Sequence, residues 1–137
     1  MSFASSARQV RDPECGIWLR LSSLRGCVAS FCWLTGLRYR ATLVEMGLDP
    51  ESVRGTVPTE AFLLETLAAL EAERARYLER LRLFESTRIE AKAKGNRQLS
   101  NAERAALLRM REEIRLPHAA HPAAAPADSA RFQGTVQ

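Results

Sequence analysis

Between about Thr59 and Lys94 the apolar residues Leu63, Leu67, Leu70, Tyr77, Leu81 and Phe84 recur at spacings of three and four, interrupted only by Arg74. The segment contains no Gly or Pro and is built mainly from Ala, Leu, Glu and Arg, all strong helix formers. This period predicts one long helix with a single apolar stripe. At about 1.5 Å per residue it would reach roughly 50 Å. A lone stripe in water is only marginally stable, so these six residues are read as an interaction seam for another helix.

A second apolar pattern runs from Gly16 to Leu37. Ile17, Leu21, Leu24, Val28 and Phe31 fall at helical spacing, with Trp18, Cys32, Trp33 and Leu34 widening the face and Arg20 and Arg25 interrupting it. The uncharged run from Gly26 to Leu37 is too short to span a bilayer, which takes about 20 residues. Three readings remain open: a core helix packed on the long one, an organelle-targeting presequence, and an interfacial membrane helix anchored by Trp18 and Trp33. Asp12 and Glu14 count against a presequence, because such peptides avoid acids. Residues 1–15, rich in Ser and Arg, are expected as a flexible leader.

The connection from Leu37 to Thr59 reads as a corner. Leu37 to Met46 suits a short helix with Leu37, Leu43 and Val44 facing inward, closed by Gly47 in the left-handed conformation with Leu48 packed back. Asp49-Pro50-Glu51 looks like a new helix start, which Gly55 breaks. Thr56 or Thr59 then caps the long helix, with Pro58 in its first turn and Glu60 facing its dipole.

Beyond the long helix, Lys92, Lys94, Gly95, Asn96 and Arg97 make a polar turn. Ser100-Asn101-Ala102-Glu103 matches the capping box, in which Ser100 and Glu103 satisfy each other's backbone donors. Leu107, Met110 and Ile114, with Leu108 alongside, give the next helix a narrow apolar face that Pro117 ends. The fold class expected is therefore all-α: a long helix with a shorter antiparallel helix in a coiled-coil-like hairpin over 58–116, an apolar helix and corner over 16–57, and a disordered tail. That tail, 117–137, is rich in Ala and Pro and holds His118 and His121 as solvated side chains.

Charge changes sign along the chain. Residues 1–40 carry six Arg against two acids, residues 41–87 five basic against nine acidic residues, and residues 88–137 return to a positive excess, within an overall net charge of +4. In the long helix Glu73, Arg76, Glu79, Arg82, Glu85 and Arg88 alternate in sign every third residue, which favours a solvated helix by about 0.2–0.5 kcal/mol per pair. Arg88, Lys92, Lys94, Arg97 and Arg104 form a candidate basic patch for nucleic acid or an acidic polymer. The patch lacks the interleaved aromatics that stack on bases.

A chain of 137 residues with 46% hydrophobic and 26% charged residues suits one modest folded domain. Cys15, Cys27 and Cys32 make neither a paired metal motif nor an even disulfide set, so a cytoplasmic or other reducing compartment is expected. No phosphate loop, metalloprotease helix or nucleophile elbow occurs. The expectation is a protein that is not an enzyme and needs no cofactor or metal. The Gly-containing corner and the Glu/Arg-rich helix, about residues 38–90, resemble the N-terminal part of the antiparallel microtubule bundlers. The likeness includes no diagnostic motif and implies a cytoskeleton-associated bundling or targeting module. Read from the residues alone, the leading expectation is a helical interaction or scaffold module that self-associates or docks on a partner helix. Nucleic-acid binding and membrane-surface contact by residues 16–37 are the alternatives.

Overall fold

In the computed structural model, which describes residues 1–117, the N-terminal fifteen residues are not a flexible leader. Phe3–Arg11 form a helix, α1, capped by Ser2, whose hydroxyl accepts a hydrogen bond from the Ser5 amide at 3.1 Å. Nine residues rich in Ser and Arg have little intrinsic helicity. Packing supplies it: Phe3, Ala7 and Val10, spaced by four and three, are buried against α2, Ile17–Thr35. The two helices run antiparallel. The Cys27 thiol donates to Phe3 O at 3.8 Å, the Ser23 hydroxyl to Gln9 Oε1 at 2.6 Å, and the Arg20 Nε to Val10 O at 2.7 Å. Gly26 permits the close approach, since a Cβ there would stand 3.1 Å from Ser6 Oγ.

Leu21, Leu24, Cys27, Val28 and Phe31 of α2 are at most 1% exposed and form the centre of the core. The helix ends at Gly36, whose φ of 81° is left-handed and whose amide reaches Cys32 O at 2.8 Å. Helix α3, Tyr39–Met46, packs on α2 through Thr42, Leu43 and Met46. Val44, expected inward, is 61% exposed instead, because Leu43 and Met46 already occupy the inner face. Gly47 ends α3 as expected: its φ is 74°, the Leu48 amide bonds Leu43 O at 2.8 Å, and Leu48 is fully buried over the last turn. Asp49 to Gly55 form a turn and no helix, with the Ser52 hydroxyl donating to the Asp49 carboxylate. Thr59 caps the long helix α4, Glu60–Ala93, by accepting from the Phe62 amide at 3.0 Å. Pro58 therefore precedes the cap and is not in the first turn.

Helix α5, Asn101–Glu112, completes an all-helical architecture with no strand among the described residues. These residues divide into two compact units, 1–70 with 116–117 and 71–115, so that α4 contributes to both. The second unit is an antiparallel hairpin. Arg88 meets Glu103, Arg80 meets Glu113, and Glu73 meets the Arg115 amide, so partners rise along α5 as positions fall along α4. The turn follows Gly95, at φ 92°, with the Asn96 amide bonded to Ala91 O at 2.9 Å. The tail expected to be disordered, with His118 and His121, lies outside the described residues apart from Pro117.

Candidate interaction surface

The expected seam splits into two parts with different fates. Leu63, Leu67 and Leu70 are fully buried in the first unit, covered by the chain itself. They are core residues and offer nothing to another molecule while the fold is intact. In the second unit Tyr77 is buried, whereas Leu81 and Phe84 are half-buried. The residue completing the buried stripe between Leu70 and Tyr77 is Glu73, 5% exposed, while Arg74 is half-buried. Glu73 stands three residues after Leu70 and four before Tyr77, so its phase marked it. Its carboxylate accepts from Arg76 at 2.9 Å and from the Arg115 amide at 3.1 Å, which answers the cost of burying a charge.

The charge ladder holds at two steps, Glu73–Arg76 and Glu79–Arg82, the latter at 2.6 Å. The Arg82 hydrogen bond pulls the Glu79 carboxyl below its ordinary range. That pair is exposed and stabilises little, about 0.2–1 kcal/mol. The ladder fails at Arg88, which turns away from Glu85. Its guanidinium is buried and donates to both oxygens of Glu103 at 2.9 and 3.0 Å, to Asn96 O at 3.0 Å and to Arg97 O at 2.9 Å. Arg88 therefore leaves the candidate basic patch and belongs to the hairpin turn. Glu103 also accepts from the Ser100 amide at 2.8 Å, closing the capping box, and its carboxyl is lowered first by that bond and then by Arg88. Lys92, Lys94, Arg97 and Arg104 remain exposed around the turn.

Tryptophan placement departs from the core-helix reading, in which both indoles widen the buried face. Trp33 is 90% exposed and Trp18 53%. Both lie opposite the buried stripe of α2. Between them, at helical spacing, come Ser22 and Ala29, which are exposed, and Arg25, which is half-buried. The arginines of α2 are drawn into the fold: Arg20 is buried and pairs with Glu60 at 2.9 Å, and the Arg25 Nε donates to Leu48 O at 2.7 Å. Next to Arg25, a shallow groove is lined by Tyr39, Arg40, Val44, Asp49 and Glu51.

None of the three cysteines forms a disulfide; Cys27 and Cys32 are buried and Cys15 is half-buried. Burial pushes the Cys32 thiol up, despite an opposing hydrogen bond with Thr42. Among the described residues no three His, Cys, Asp or Glu side chains gather as a metal-binding group, and no helix is long and apolar enough to cross a membrane. Comparison with protein-family models, curated proteins and solved structures finds no match.

Proposed function

We propose that the chain is a non-enzymatic helical interaction module that binds protein through the outer face of α2. The observation that carries this reading is the pair of water-exposed indoles, Trp18 and Trp33, on one stripe of a helix whose opposite side is core. An exposed tryptophan leaves a large apolar area in water, and tryptophan is enriched among the anchors that dominate protein interfaces. The seam of α4 cannot serve this role over Leu63 to Leu70, because those residues are consumed within the first unit. A membrane surface is the rival occupant of the same face, since tryptophan also anchors helices at lipid interfaces.

The test places a photoreactive amino acid at position 33 and, as a control, at exposed position 54. Cross-linking in cells should join position 33 to protein and leave position 54 largely unlinked. Linkage of position 33 to lipid, or to nothing, overturns the reading.

A second reading rests on Lys92, Lys94, Arg97 and Arg104, four exposed cations at one end of the hairpin. They suit nucleic acid or an acidic polymer as counterions to phosphate. Binding of that kind weakens steeply as salt rises, whereas contact through the indoles survives moderate salt.

A further inference from the structure

The outer face of α2 has an internal symmetry. The midpoint between Arg25 and Gly26 is equidistant from Trp18 and Trp33, and equidistant again from Ser22 and Ala29. Both pairs lie on the exposed stripe. If a second α2 is laid antiparallel across this midpoint, each Trp18 stands opposite the other copy's Trp33. Each Ser22 stands opposite the other's Ala29. A twofold contact requires this kind of self-complementarity, because both subunits present the same patch.

Charge on the stripe points the same way. It carries no acid, Arg20 is buried on Glu60, and Arg25 turns to Leu48 O. At its centre Arg25 is half-buried with its Nε held by Leu48 O, and the small exposed residues on either side, Ser22 and Ala29, are what allow a second helix to approach. Area sets the strength. At 53% and 90% exposure, and taking a buried aromatic as 150–250 Å², the two indoles offer about 300 Å² per copy. With Leu19, itself 49% exposed, and the small residues, two copies would bury at most on the order of 1,000 Å², below the range of stable interfaces and in that of weak, transient ones.

We infer that the occupant of the α2 face is a second copy of this chain, in an antiparallel, twofold α2–α2 contact closed at each end by Trp18 against Trp33. This rests on the reading of the face as a protein-binding surface. The contact is weak and follows concentration.

Sedimentation equilibrium of the full chain should show monomer at low concentration moving toward twice that mass as concentration rises. Trp33→Ala, at a side chain 90% exposed, should keep the helical circular dichroism and weaken dimerisation by about tenfold or more. Geometry is read by cysteine pairing in a Cys15→Ser background. A mixture of Ser22→Cys and Ala29→Cys chains should form a mixed disulfide dimer faster than either chain alone. A mass that stays monomeric at every concentration overturns the dimer, as does faster linkage of Ser22→Cys to itself, which would mean parallel helices. If position 33 still cross-links to another protein while the chain is monomeric, the dimer fails and the interaction reading stands. If position 33 meets only lipid, both fail.

Discussion

Arg88 and Glu103 stand fifteen residues apart in the chain, and one guanidinium nitrogen of the arginine lies within 3.0 Å of both carboxylate oxygens. The same guanidinium holds Asn96 O and Arg97 O, and the same carboxylate holds the Ser100 amide. One ion pair thus ties the end of α4, the turn and the start of α5. Removing either member leaves the other buried or half-buried with donors or acceptors unmet.

Arg88→Met should accordingly destabilise the hairpin by about 3–5 kcal/mol, the cost of breaking a buried pair from one side. Hydrogen exchange should accelerate first across residues 96–104. Arg88→Lys should restore only part of the loss, because a single ammonium cannot span the carboxylate and two carbonyls. Unchanged exchange in both variants would remove Arg88 from this role.

Ser100→Ala should cost about 0.5–2 kcal/mol. Glu103→Gln should cost more than Ser100→Ala, since it weakens the cap and the ion pair together. In the double variant with Arg88→Met the penalties should fall short of their sum, the signature of groups in one network. Thermal melts of the two single variants and the double variant read this directly.

The pH dependence follows from Glu103. Its folded pKa lies below the unfolded value, lowered by the Ser100 amide and by Arg88, so the unfolded chain binds its proton more readily. Its contribution to stability is fully present above the ordinary glutamate value of about 4.3 and is lost as pH falls through the lower folded value. Glu79, lowered by Arg82, acts in the same direction. Melting temperature should hold steady from neutrality to about pH 5 and fall below it. In Glu103→Gln the acid limb should be shallower.

Leu70 and Leu81 separate the two halves of the apolar stripe. Leu70→Ala should cost about 2–5 kcal/mol, because Leu70 is fully buried in the first unit, whereas Leu81→Ala, half-buried, should cost less. In the native chain, Cys15 should react with a thiol reagent well before Cys27, which is buried. Equal rates for the two thiols would mean that the α1–α2 core opens readily.

Local signals in the sequence proved easy to read, and long-range ones did not. The capping box of Ser100 and Glu103 and the Gly47–Leu48 helix end depend on neighbours within a few residues, and both form as expected. The helicity of Phe3–Arg11 depends on burial against α2, so the propensities of Ser and Arg concealed it. Arg88 fitted the local ladder equally well, and its true partner lies fifteen residues on, beyond any helical period. Trp33 is different, because its phase was available: sixteen residues after Ile17 places it nearly opposite the buried stripe at about 100° per residue. Apolar character by itself does not place a residue in the core, since apolar residues are common on protein surfaces.

The three cross-links of the hairpin, Arg88 to Glu103, Arg80 to Glu113 and Glu73 to the Arg115 amide, act together as a gauge of alignment. Sliding α5 by one turn along α4 would move all three out of reach at once, so intermediate alignments gain nothing. Extra residues inserted near Gly95 cannot be absorbed by such sliding. They must loop outward, and the hairpin keeps its register at the expense of a larger turn.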